Sequence, residues 1–418
     1  MHIVMVECNP NGIAGIANAL RLGHRVTLVT ADPDFYLNAS PLAADAYAHP
    51  NCEVVKSADA FSIDALEQLV KEIHAAHPVD GVTTYSEYHT VHAATVARAL
   101  GLPGLSVEGA LNARHKHRTR LALRGAEGVR QPRFAHVEDP AGIEAAIREV
   151  GFPCVVKPSD GTASLHVLHL TNEDELQAYL AELAKVSDYG RGVTRIPDLL
   201  VEEFVTGELV SVEACVLADG TVVNLGITDR TLSGFPYFIE MGATYFADHP
   251  LREPLFAMNE KVLAGLGIDF GFIHTEYFLT PEGPVLCEVN GRLVGGIVPG
   301  LMKISCGVDP YLEVIRQALG ETPELPFPGE VIATGRWFGS PVEGVLESID
   351  FAAVEELPGF HEALSYRAAG RQVSKLSTSN FDWLGHLVFT GTDRDQAHGR
   401  AEAALDRIDV QVSVKVAR

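Results

Sequence analysis

The segment FIHTEYFLTPEGPVLCEVNGR, residues 272–292, constrains the fold more than any other stretch of the chain. Two strand-like runs flank Pro281-Glu282-Gly283, and a three-residue loop ending in glycine is a common hairpin connection. Positions 276 and 288 lie equally far from residue 282, so the hairpin sets Glu276 opposite Glu288, within one residue of register. Side chains alternate along a strand, which puts Asn290 on the face of Glu288 and His274 on the face of Glu276. Two carboxylates and an amide oxygen converging on one sheet face are costly if unpaired. A hard divalent cation such as Mg²⁺ takes oxygen ligands, would neutralise them, and keeps positions open for substrate phosphates. The plainer alternative is an exposed hairpin with a wet polar face.

Composition limits what else the chain can do. Across 418 residues, 32 Lys and Arg stand against 55 Asp and Glu, a formal net charge of −23. A chain this acidic is a poor general binder of nucleic acid or anionic membrane, so neither is expected as a partner. Any phosphate ligand must be met by a few local cations. No apolar run reaches the roughly 18 residues of a membrane span. The start, MHIVMVECNPNG, lacks a basic leader and carries Glu7, so it reads as a buried first strand and not a signal peptide. The six cysteines are scattered with no C-x-x-C pair, which suits a reducing cytoplasm.

The first hundred residues alternate strand-like and helix-like patterns, which predicts a parallel, doubly wound sheet. The spacing of Gly12 and Gly15 in NPNGIAGIANAL is not G-x-G-x-x-G and reads as a tight strand-to-helix turn. Residues 106–125 read as one helix rich in Arg and His. Lys116 and Arg120 share a face of it, and spacing alone favours a solvated face. Arg133, Arg336, His115 and His117 are further candidate contacts for which a surface or structural role is favoured. Next come a helix (PAGIEAAIREVG), a strand ending at Lys157, a polar loop, a strand and a second helix, a unit small enough to move as a lid. Lys157 can place a point charge on a phosphate, and the small residues Gly161, Thr162 and Ser164 can offer backbone N–H groups. An ordinary loop accounts for the same residues. In LLVEEFVTGELVSVE, the acidic residues Glu202, Glu203, Glu208 and Glu213 cannot all be core. Here a strand and turn could face an adenine edge and a ribose, and a wet strand edge is the alternative.

In order, DPDFY, TTYSEYHTVHAATVARALGLPG with the Lys116–Arg120 helix, VVKPSDGTAS, EEFVTGELVSVE and HTEYFLTPEGPVLCEVNGRLVGG resemble the ATP-grasp superfamily. They are most similar to its carboxylate–amine ligases of the L-amino-acid ligase, or dipeptide synthetase, type. GRWFGSPVEG and the closing helix DRDQAHGRAEAALDRI fit as well. The resemblance implies an α/β ATP-grasp fold. A doubly wound parallel-sheet domain would span residues 1–110. The ATP-grasp core would span 111–330, with a small α+β lid at about 134–203. A C-terminal lobe at 331–418 would complete the substrate side within a larger antiparallel α+β region.

The resemblance also implies roles. Lys116 and Lys157 would contact ATP phosphates, and the loop carrying Ser159, Thr162 and Ser164 would close over them. Glu202, Glu203 and Val205 would form the adenine hinge, and Glu208 would hold the ribose. Glu276, Glu288 and Asn290 would bind two Mg²⁺ ions, for which Mn²⁺ could substitute. Arg292 would neutralise an acyl phosphate, Gly295 and Gly296 would let backbone approach the substrate, and His274 and Glu240 would position amino acids. The implied activity is an ADP-forming ligase. It joins a small-molecule carboxylate to an amine, both expected to be amino acids, in a cytoplasmic homodimer. An ATP-grasp carboxylase, a ligase of nucleotide biosynthesis, and a nucleotide-binding regulator without turnover are the alternatives. Two positions depart from the pattern. Leu165-His166 stands where many members carry Arg-Gly, and Gly291 stands where Pro often precedes the Arg. The stretch SGFPYFIEMGATYFADHP looks like a substrate-facing loop.

Overall fold

The computed structural model describes residues 1–233, 238–325, 329, 331–376 and 380–414, apart from the side chains at 59 and 381. At the N-terminus, strand His2–Val6 pairs in parallel with Arg25–Thr30 and with Gly81–Thr83, and Cys52–Lys56 extends the sheet beyond Arg25–Thr30. All five residues of His2–Val6 are buried, as a parallel strand covered on both faces requires. Glu7 follows in the left-handed region with φ 50° and is buried. Its carboxylate accepts from Thr30 Oγ1 at 3.0 Å, from the Ala31 N–H at 2.7 Å and from the Tyr36 hydroxyl. Gly12 and Gly15 make room for a ring. A Cβ on Gly15 would stand 2.2 Å from the Tyr85 hydroxyl, and one on Gly12 would stand 2.8 Å from the Tyr85 Cβ.

The basic stretch is two helices, Val107–Arg114 and Lys116–Ala122, not one. His115 is extended (φ −104°, ψ 110°) and breaks the run. Neither is the face solvated, since Arg114, Lys116 and Arg120 are all buried. The break turns Lys116 toward the Glu276/Glu288 hairpin.

A small antiparallel sheet follows, in the order Phe134–Val137, Leu199–Glu203, Cys154–Pro158, Leu168–Leu170. Its first strand is only four residues long, too short for alternation to reveal. Helices Ile143–Val150 and Glu173–Leu183 cover one face. Val137, Ile147, Val156, Leu176 and Leu199 form a core there, separate from the cores of the rest of the chain. The opposite face carries Val155, Lys157 and Glu202.

The largest sheet has eight strands. Its order is Gly283–Asn290, Gly271–Thr280, Glu208–Val216, Val222–Leu232, Glu240–Phe246, Ile332–Gly339, Trp383–Gly391, Phe360–Ser365. The last three strands come from the C-terminal lobe, which therefore extends this sheet, joined through Gly242 opposite Arg336. Tyr245 and Trp337 of the sheet share one core with Met5, Ile16 and Tyr36 of the N-terminal unit.

The hairpin loop is Pro281-Glu282 alone, because Thr280 already pairs with Gly283. A bulge at Cys287 then restores the offset, so Glu276 does face Glu288 and His274 faces Asn290.

The close approach at Gly15 generates a prediction. Tyr85 cannot swing away freely, because its hydroxyl donates to the Tyr311 carbonyl at 2.7 Å. Gly15→Ala should therefore destabilise the protein by about 1–3 kcal/mol, despite alanine's better helix propensity. Urea unfolding midpoints check this, and an unchanged midpoint would mean that the ring yields.

Candidate active site

One cleft of about 840 Å³ lies between the N-terminal unit, the small sheet and the large sheet. From the small sheet and its surroundings it is lined by Lys116, Lys157, Thr162, Ser164, Glu202, Glu203 and Val205. From the large sheet and the turn after it come Glu240, His274, Glu276, Glu288, Asn290, Arg292, Gly295 and Gly296. Two positions to which the resemblance gives a ligand role, Ser159 and Glu208, do not line it, and neither do the further candidates Arg133, Arg336, His115 and His117. Ser159 is buried, with its hydroxyl 2.6 Å from His117 Nδ1 and its carbonyl accepting from the Lys116 N–H at 2.9 Å. Glu208 is exposed at the start of its strand, where alternation sends its neighbour Leu209 into the cleft instead. Residues 234–237 of the expected substrate-facing loop lie outside the described residues.

The facing carboxylates are each matched by a cation. Lys116 Nζ lies 3.0 Å from Glu288 Oε1 and donates to the Gly161 carbonyl at 2.6 Å. His274 sits between two acids, with Nδ1 3.0 Å from Glu213 and Nε2 3.1 Å from Glu276. Burial alone would lower the His274 pKa, but the two carboxylates overrule it and raise it to about 9. Burial likewise opposes ionisation of Glu276, yet His274, Arg230 and Lys116 hold its carboxyl at about 2. Glu276 is thus an ionised oxygen donor at neutral pH. With Glu288 and the amide oxygen of Asn290 it gives an all-oxygen donor set that fits Mg²⁺.

A second charge cluster joins the small sheet to the core. Glu202 Oε2 lies 2.6 Å from Lys157 Nζ, and Glu202 Oε1 lies 2.6 Å from Arg120 Nε. Arg120 also donates to the Cys287 carbonyl at 2.7 Å, so it grips the bulge of the hairpin. The Glu202 side chain is committed to these cations, leaving backbone groups of this strand and turn for a ligand. Glu203 pairs with Arg133 at 3.2 Å near the surface.

Sequence reasoning missed several lining residues. Glu87, in SEYHT, is buried and lies 2.7 Å from Arg292 Nε, holding that guanidinium in place. Arg230, 3.2 Å from Glu240 and with its side chain only 4% exposed, adds a cation. Trp337 and Trp383 stack with ring centroids 4.5 Å apart, and Trp337 Nε1 donates to the Tyr366 hydroxyl at 3.2 Å, making an aromatic wall. Only the tryptophan of GRWFG could have hinted at it. At the atypical loop position, Leu165 lines the cleft while His166 does not. Ala163, Ser164 and His166 have φ values of 52°, 57° and 58°, so this loop reverses direction without glycine at those positions.

The ATP-grasp N-terminal domain family matches residues 16–104, the ATP-grasp domain family matches 150–299, and the L-amino acid ligase C-terminal domain 2 family matches 336–413. The chain belongs to the ATP-grasp superfamily. Within it, the chain is of the L-amino-acid ligase type. It is 28% identical over 348 residues to alanine–anticapsin ligase of Bacillus subtilis, covering 73% of this chain and 71% of that one. It is 27% identical over 330 residues to carnosine synthase 1 of Gallus gallus, covering 74% of this chain but 34% of that one. The fold matches the crystal structure of an L-amino acid ligase from Bacillus licheniformis with a TM-score of 0.82, at 21% identity and 99% coverage of both chains.

The Arg120–Glu202–Lys157 cluster predicts an acid-sensitive stability. Burial pushes the Glu202 carboxyl up, but Arg120 and Lys157 hold it at about 2 when folded, against about 4.3 in an unfolded chain. The stability it contributes is present above about pH 4.3 and is lost as the pH falls toward 2. Glu202→Ala, which leaves two buried cations without their acid, should cost about 3–5 kcal/mol at pH 7. The variant's stability should also fall less steeply than the wild type's below pH 5 in denaturant melts.

Proposed function

We propose that this chain, an ATP-dependent carboxylate–amine ligase, forms a dipeptide-like amide in the cleft between its two antiparallel sheets. The observation that carries the site assignment is the register. Glu276 and Glu288 face each other across two strands, with Lys116 beside them and Arg292 lining the same cleft. ATP would lie under the small sheet, its base against the turn at Glu203 and Val205 and its phosphates toward Lys116 and Lys157. Both ammonium groups now rest on carboxylates, so phosphate oxygens would compete with Glu288 and Glu202 for them.

A carboxylate is a poor acylating agent, because its leaving group would be oxide. Transfer of the γ-phosphoryl group to it gives an acyl phosphate and ADP. Two Mg²⁺ ions on Glu276, Glu288 and Asn290 would supply charge neutralisation between phosphate oxygens. Arg292, fixed by Glu87, would stabilise charge on the acyl phosphate. An uncharged amine then attacks the acyl carbon, and the tetrahedral intermediate collapses to the amide and phosphate. Water would hydrolyse the acyl phosphate, so the small sheet would act as a lid, with the aromatic wall of Trp337, Trp383 and Tyr366 opposite. Glu240, His274 and Arg230 form the charged rim on which amino-acid head groups would be placed. Relatives named for joining alanine to anticapsin support amino acids as substrates, and the match at 336–413 favours this reading over a carboxylase.

The test is phosphate release with Mg-ATP across pairs of amino acids, with mass spectrometry of active mixtures. Release that needs two amino acids and yields their amide is expected. ATP hydrolysis that proceeds with bicarbonate but with no amine would overturn the reading. Glu288→Ala should lower turnover at least about 10²–10³-fold while the circular dichroism spectrum stays unchanged. Undiminished turnover in that variant would remove Glu288 from the site.

A further inference from the structure

A second cluster of metal-ligating side chains lies outside this cleft, at the junction of the small sheet with the core. His117 is the second residue of helix Lys116–Ala122, on the core side. His136 sits in strand Phe134–Val137, and Asp198 immediately precedes strand Leu199–Glu203, both in the small sheet. One donor atom from each lies within 4.8 Å of the other two. His136 Nε2 is 2.9 Å and His117 Nδ1 is 3.9 Å from the same oxygen, Asp198 Oδ2. The imidazole rings stack at 4.2 Å, 3° from parallel. The three side chains are only 16–21% exposed, enough for an ion to enter but too little for them to be free surface groups. None of them lines the large cleft.

We propose that His117, His136 and Asp198 form a site for a late first-row divalent ion such as Zn²⁺, which pins the small sheet to the core. Two imidazoles and one carboxylate are the donor set of Zn²⁺ sites, whereas Mg²⁺ prefers the all-oxygen set at Glu276 and Glu288. Three protein ligands leave a fourth position to water. Occupancy exchanges the ring stack and the His136–Asp198 contact for bonds of about 2.0–2.2 Å, reached by tilting the two rings. Ser159 Oγ, 2.6 Å from His117 Nδ1, gives up that contact as the nitrogen turns to the ion. The ligands come from both sides of the junction, and His117 adjoins Lys116. The ion therefore fixes the start of that helix against the strands that carry Lys157 and Glu202.

Co²⁺ titration of the full chain in saturating Mg²⁺ tests this, with absorption bands of four-coordinate Co²⁺ as the readout. One equivalent should bind, Zn²⁺ should displace it, and Zn²⁺ should raise the melting temperature. His136→Ala and Asp198→Asn should each weaken binding at least about tenfold, while Glu288→Gln leaves it intact. Loss of the bands in Glu288→Gln, their persistence in both junction variants, or the absence of any four-coordinate Co²⁺ signal would overturn the proposal. The Asp198→Asn change keeps side-chain shape, so its result stands if His136→Ala does not fold.

Discussion

Burying acids is what the active cleft demands, and the rest of the structure is arranged around supplying their counter-charges. Glu202, Glu213 and Glu276 are each ionised in surroundings that would otherwise favour the neutral acid, and the cations that keep each so include at least one from another strand or helix. Arg120 and Lys116 come from the short helix after His115, His274 from the strand beside Glu213, Lys157 from the small sheet and Arg230 from the next strand over. No one of these elements could bury its charge alone. The sheets therefore have to meet in the arrangement seen, or leave ions unpaired in low dielectric.

The same logic separates rigid from exchangeable contacts. Arg120 holds the hairpin bulge and Glu202 together and is buried. It touches no open part of the cleft, so it reads as a strut. Lys116 and Lys157 line the cleft, and their carboxylate partners lie along the same wall. Under the proposed reading, their ammonium groups would change partners as phosphate oxygens and cations entered, without exposing a charge to an apolar environment. A binding site built this way is pre-organised, yet does not carry a large excess of one charge.

Much of this was legible from the chain, though not always for the right reason. The facing of Glu276 and Glu288 follows from assuming a three-residue loop and an unbroken ladder, but the structure has a two-residue loop and a bulge at Cys287. The two departures cancel at Glu276 and would not have cancelled for residues nearer the turn. The parallel N-terminal sheet was legible because its strands are continuous apolar runs between helices. Arg120 was not, and Lys116 was legible only through the family resemblance, since helical spacing cannot tell a solvated basic face from one facing buried acids 80 or more residues away in sequence. The same blindness hid Glu87, whose meaning lies entirely in its partner Arg292. Strand Phe134–Val137 was hidden by its length, and Ser159 and Glu208 were placed in the cleft although one belongs to the junction and the other to a wet strand start.

How the small sheet meets the N-terminal unit bears on what it does. Arg191, from the loop before Leu199–Glu203, lies 4.1 Å over the Phe35 ring and donates to the Tyr36 hydroxyl at 3.2 Å, which in turn donates to buried Glu7. Tyr189 stacks on Tyr88 at 5.6 Å, and Thr162 donates to the Tyr88 hydroxyl at 3.0 Å. These contacts are polar or aromatic, and the small sheet keeps its apolar core to itself. Separating the two surfaces would break these ring and hydrogen-bond contacts but would leave the small sheet's own core intact. Glu7, by contrast, is held by three donors from its own unit and stays in place whichever way Arg191 moves. Under the function proposed above, a cover with its own core, closing onto a preset polar rim, would admit ATP and two substrates and then exclude water from an acyl phosphate. A cover sharing the main core could not open without dismantling it.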